Sequence, residues 1–166
     1  MQTTQRFEKF KFSAVLFVLF FPAFVSPLLG QTTAKNVIVT LYVNTAQITN
    51  NNNKPTHCNF GQPANISNED FTTTLNVGDS ITWVGVSSNA PDKDIVNITS
   101  INYRGGTNVF QKNVLPGNGK SPEQVLGKVV VPSAESNCKY SVSFTVFNNG
   151  VRRNGTFMID PKLEVH

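Results

Sequence analysis

The sequence predicts an all-β protein, a Greek-key β-sandwich of about seven or eight strands, on three observations. Apolar residues recur at every second position in several short segments, the period of strands with one buried face. Gly, Pro, Asn and Asp clusters separate these segments at the spacing of a sandwich. No stretch after residue 30 carries the pattern of a long amphipathic helix.

At the N-terminus, Arg6, Lys9 and Lys11 precede an apolar run from Phe12 to Val25, followed by Ser26, Pro27, Leu28, Leu29 and Gly30. This reads as a secretory signal peptide over residues 1–30, with cleavage near Gly30 and one domain over residues 31–166. The competing reading is an uncleaved anchor, but the run is shorter than the roughly 20 apolar residues a spanning helix needs. The expected localisation is therefore secreted or periplasmic, with no stable membrane insertion once the leader is removed. Of fourteen basic and ten acidic residues, the leader holds three and one, which leaves the rest near +2. Those charges are scattered, which argues against a nucleic-acid partner.

Val37, Val39, Leu41 and Val43 share one face of a first strand over 36–43. From Asn44 to Asn68 the chain is Asn-rich, broken by Pro55, Gly61 and Pro63, and without periodicity. An excursion of this length needs an anchor or a short element of its own. Phe71, Thr73, Leu75 and Val77 alternate up to Gly78-Asp79, and Ser80–Val84 resumes the pattern, which predicts two strands joined by a tight turn. Trp83, the single tryptophan, is expected in the core; the alternative is an exposed platform for a sugar or base. Ile95–Tyr103 and Val125–Val131 are further strands, the segment between them reads as loop, and Gly105-Gly106 is a turn rather than a phosphate-binding loop.

Tyr140, Val142, Phe144 and Val146 alternate with Ser141, Ser143 and Thr145, the strongest strand pattern in the chain. An Asn-Gly-rich hairpin follows, then a strand ending at Ile159. Asp160-Pro161 interrupts the ladder, and Leu163 with Val165 predicts a short edge strand.

Cys58 and Cys138 are the only cysteines. In an oxidising compartment a Cys58–Cys138 disulfide is the expectation, contributing about 3–5 kcal/mol through the unfolded state. The alternatives are two buried thiols, or metal ligation with the adjacent His57. With His57 and His166 the only imidazoles, a nucleophilic triad is not expected, and the chain is read as non-catalytic. Asp92 with Asp94 would bind a hard cation only if backbone carbonyls converged there, and Glu69-Asp70 reads as a solvated loop. Arg152 and Arg153, at the tip of the late hairpin, are either solvated charges or a contact for an anionic ligand. Asn65, Asn97 and Asn154 begin glycosylation sequons, which matter only in a eukaryotic source.

Three pieces together resemble the cupredoxin-like fold: Leu75 to Trp83, Lys139 to Phe144, and Asn154 to Ile159. The resemblance implies a hairpin before the strand leading to a copper-binding His, a Tyr-containing strand delivering a Cys, and a Gly-Thr strand closing the sheet. The positions that would hold the ligands carry Phe144 for the Cys, Phe147 for the following His, Arg153 near the axial Met and Asp94 near the upstream His. No set of soft sulfur and imidazole ligands is present there. The resemblance thus implies a cupredoxin-like domain with no metal and no cofactor, a binding or structural module. The competing functions are a copper-binding or electron-transfer protein with an unorthodox site drawn from His57, Cys58, Cys138, Met158 and His166, and an immunoglobulin-like adhesion or carbohydrate-binding module using Trp83. The sequence names no partner.

Overall fold

A computed structural model describes residues 33–49, 54–133 and 136–166. The expected signal peptide and its cleavage site lie outside the described residues. Eleven strand segments and one helical turn follow in order: β1 Asn36–Val43, α1 Lys54–His57, β2 Cys58–Asn59, β3 Thr72–Leu75, β4 Ser80–Ser87, β5 Ile95–Gly105, β6 Val114–Pro116, β7 Val125–Lys128, β8 Cys138–Asn148, β9 Val151–Arg152, β10 Phe157–Ile159 and β11 Lys162–Val165. They form two mixed sheets. The four-stranded sheet runs β2-β1-β4-β7, and the seven-stranded sheet runs β3-β11-β8-β5-β6, with β9 and β10 also paired to β8. Among the described residues, no helix is long and apolar enough to cross a membrane.

The period-two pattern works as the sequence implies. On β1, Val39, Leu41 and Val43 are buried while Ile38 is exposed. On β8, Tyr140, Val142, Phe144 and Val146 face inward against Trp83, Ile81 and Phe157, and one continuous core results. Trp83 crosses between the sheets: its ring meets Tyr140 edge-on at 5.5 Å, and its Nε1 donates to the Tyr140 hydroxyl at 3.1 Å. Burial pushes the Tyr140 phenol well above its ordinary range, against the smaller opposing effect of the Trp83 N–H, so it stays a neutral acceptor. Trp83 is 1% exposed, which removes it as a sugar platform.

Pairing departs from the expected hairpins. The turn at Gly78-Asp79 does not join two strands of one sheet. It carries the chain from β3, parallel to β11 in the seven-stranded sheet, to β4, parallel to β1 in the other. Asp79 explains the crossing: its carboxylate accepts from Asn76 N at 2.9 Å within the turn and from Lys35 N at 2.8 Å at the entrance of β1. The turn is thereby tied to the strand that β4 pairs with. The segment Leu163–Val165 is likewise no edge, because β11 lies between β3 and β8 with Leu163 and Val165 buried. The loop between β5 and β7 contains β6, which the sequence pattern misses.

The Asn-rich excursion is held without a disulfide. α1 and β2 form inside it, Asn44 N donates to His57 O at 2.8 Å, Asn68 Nδ2 donates to Cys58 O at 2.9 Å, and Phe60 stacks on Phe71 at 4.7 Å. No disulfide joins Cys58 to Cys138, and the strand registers give the reason. Cys58 pairs with Val43 at the far end of β1, whereas Cys138 opens β8 opposite Leu163. Val39 pairs with Trp83, which bonds Tyr140 and so sets the level of β8 against β1. From that level Cys58 lies four residues one way and Cys138 two residues the other, so about 20 Å of strand separates them. A disulfide tolerates a Cα separation of roughly 7 Å at most.

Candidate functional site

Two of the polar residues flagged by sequence, Asp94 and Arg153, share partners at the end of the sandwich where β1, β4 and β8 terminate. Asn149 and Gly150 connect β8 to β9 with φ of 49° and 77°, the two positive values that a tight two-residue hairpin requires. That turn aims the Asn149 N–H at Asp94, which precedes β5. Asp94 Oδ1 accepts from Asn149 N at 2.8 Å, and Oδ2 accepts from Asn148 Nδ2 at 2.8 Å and from the Thr45 hydroxyl. Thr45 also lies 2.9 Å from the Ser87 hydroxyl. The Thr45 bond first, then the Asn149 N–H, the Asn148 amide and the charge of Arg153, hold the Asp94 carboxyl below its ordinary value, against the opposing effect of burial.

Arg153 completes the cluster. Its Nη2 donates to Thr45 O at 3.2 Å, to Ala46 O at 3.2 Å and to Asn148 Oδ1 at 3.0 Å, and its Nε donates to Thr45 O at 3.3 Å. The guanidinium thus ties the loop after β1 to the hairpin after β8. Arg152, one residue earlier, is exposed, and among the described residues no hydrogen bond or ion pair engages its side chain. Val151 beside it is 69% exposed. A hollow of about 340 Å³ bounded by Ser87, Pro91, Asp92 and Asp94 adjoins the cluster. Chemically, the arrangement is a carboxylate and a guanidinium saturated by neighbouring loops, with the exposed side chains of Arg152 and Lys93 nearby.

The other sequence candidates stay apart. Asp92 is exposed, while Asp94 is engaged as above. Asp70 pairs with Lys162 at 3.0 Å and bonds Ser67. His166 is anchored through its backbone: its N–H donates to Leu75 O and its C=O accepts from Val77 N, both at 3.0 Å. Met158 lies outward, its sulfur 3.5 Å from Arg104 Nη2. Among the described residues no three His, Cys, Asp or Glu side chains group as metal ligands would. Of the sequon residues, Asn65 and Asn154 are exposed, whereas Asn97 Oδ1 accepts from Glu123 N at 2.7 Å. Thr45, Ser87 and Asn148 escaped sequence reasoning because each is a small polar residue at a strand end, with no pattern to set it apart.

No family model and no curated protein matches the chain. Among solved structures, the crystal structure of inclusion body protein PixA from Burkholderia cenocepacia J2315 aligns with 82% of this chain and 98% of that one, at a TM-score of 0.59 and 15% identity. The fold is PixA-like. This overturns the cupredoxin resemblance, whose three sequence pieces are features that many sandwiches share. Phe144, which would replace a copper-binding Cys, is fully buried and stacked on Phe157 at 5.4 Å in the PixA-like core, away from the loop end.

Proposed function

We propose that the chain is an exported, non-catalytic β-sandwich module that acts by surface contact, as a binding or structural element. The supporting observation is the state of the loop end. Asp94, Arg153, Thr45 and Asn148 are engaged with one another, and Arg152 is among the side chains presented outward. Arg152 is the proposed contact for a carboxylate-bearing or other anionic ligand, and Arg153 positions the hairpin that carries it. Export is supported by Arg6, Lys9 and Lys11 ahead of the apolar run. The relative of known structure is named an inclusion body protein, and a structural role is the counterpart proposed for this chain.

Retention on immobilised polyglutamate at low salt tests the contact, comparing the parent with Arg152→Glu and with Lys120→Glu, an exposed site given the same charge change. Arg152→Glu is expected to lose most of the retention and Lys120→Glu little of it. Equal losses, or no retention by the parent, would overturn the contact. Intact mass of secreted material, expected to lack residues 1–30, tests export; recovery of only the full chain inside the cell would overturn it.

A further inference from the structure

Asn-Gly occurs three times in the chain, at Asn118-Gly119, Asn149-Gly150 and Asn154-Gly155. The dipeptide has a chemistry of its own: with no Cβ on the glycine, its backbone nitrogen is free to close on the amide carbon of the asparagine before it, which makes such an asparagine labile. The structure separates the three. At Asn118 both reacting groups are held: Gly119 N donates to Glu123 Oε1 at 3.1 Å, and Asn118 Oδ1 accepts from Lys120 N at 3.1 Å and from Gln124 N at 3.3 Å. The attacking nitrogen would have to give up its proton against a carboxylate, which disfavours the anion. At Asn149 the turn is fixed by the pairing of β8 with β9, and Asn149 N donates to Asp94 Oδ1 at 2.8 Å, so a carboxylate stands at this turn as well. Asn154 differs on both counts. Among the described residues no hydrogen bond engages its side-chain amide or Gly155 N, and both residues are exposed between β9 and β10. The two residues immediately before them are Arg152 and Arg153, cations that favour an anionic nitrogen.

We propose that Asn154 is a site of spontaneous deamidation, and that its conversion weakens the anion contact at Arg152. Gly155 N bonds to Asn154 Cγ, the Cγ–Nδ2 bond breaks, and the side-chain nitrogen takes up the displaced proton and leaves as ammonia. Water then adds to either carbonyl of the cyclic imide and opens it to aspartate or isoaspartate. No oxidant, reductant or enzyme enters the balance, and the chain gains one negative charge. Residues 152 and 154 are at most about 7 Å apart along the chain. That lies within the screening length of about 8 Å at physiological salt, so the new carboxylate repels an anionic partner and competes for the Arg152 guanidinium. The effect on binding rests on the reading of Arg152 as the contact; the modification itself does not.

Peptide mapping by mass spectrometry of the purified full chain, aged in warm neutral buffer, is the test. Asn154 should convert about tenfold faster than Asn118 or Asn149, because replacing a carboxylate neighbour by a guanidinium moves the acidity of the attacking nitrogen by about one unit or more. Isoelectric focusing should show the matching acidic shift. Asn154→Ser, which removes the amide at an exposed position, should age without that shift while its circular dichroism and melting match the parent. Conversion at Asn118 or Asn149 as fast as at Asn154, or no conversion at Asn154 in the folded parent, overturns the assignment. On immobilised polyglutamate, the aged parent and fresh Asn154→Asp should both lose most of the retention that Asn154→Ser keeps. Full retention by a converted parent overturns the effect on binding. A fresh parent that is not retained overturns the Arg152 contact and that effect together, whereas the mapping reads the conversion at Asn154 on its own.

Discussion

Trp83 and Tyr140 hold the two sheets together through one buried hydrogen bond, and the bond sets their relative level. Tyr140→Phe leaves the Trp83 N–H buried without an acceptor, and should cost about 1–3 kcal/mol in urea denaturation. Asp94 makes a prediction with a definite pH dependence. Its carboxyl is held below the ordinary value of 3.8 in the folded protein, so the stability it contributes is present above that value and is lost as pH falls through its folded value. Asp94→Asn should therefore melt below the parent near neutral pH, and the gap should shrink once pH drops below about 4. A gap that stays constant from neutral to strongly acid pH would show that the carboxylate does not carry the network. At this scale the sequence exposes Arg152, Arg153 and Asp94 as polar groups in loops, and Trp83 and Tyr140 as strand residues. It does not expose their partners, because Thr45, Ser87 and Asn148 come from elements that meet only after folding.

Strands were legible where burial is one-sided. β1, β4, β5 and β8 follow from alternation, since a buried face must repeat every second residue. Pairing was not legible, because alternation says which face is buried and not which neighbour shares the ladder. The Gly78-Asp79 turn suits a hairpin and suits equally the crossing between sheets that forms; Asp79, bonded to Lys35 N, selects the second. β6 is hidden by its three-residue length, and β11 reads as an edge because Pro161 precedes it. β7 carries a further prediction. A Cβ on Gly127 would lie 2.9 Å from Leu115 Cδ1 and Phe110 Cε1 and 3.1 Å from Trp83 Cζ3. Gly127→Ala should thus destabilise by about 1–3 kcal/mol through overpacking around the tryptophan. A melting temperature equal to the parent's would show that this corner of the core is loose.

As a whole, residues 33–166 form one compact unit whose frame uses its own polar groups and leaves its surfaces to act. The cupredoxin resemblance misled because sandwiches with different connections share hairpins and Tyr-containing strands, and the expected disulfide failed because its cysteines sit at opposite ends of the strands. The outward face carrying Ile38 and Leu126 was present in the sequence as the even-numbered half of the alternating patterns. Its apolar character stands out only once register sets those residues side by side. Retention on immobilised polyglutamate at low salt tests the claim of a contact surface most directly. The account predicts that Arg152→Glu loses most of the parent's retention while Lys120→Glu keeps it. Equal losses, or no retention by the parent, would contradict it.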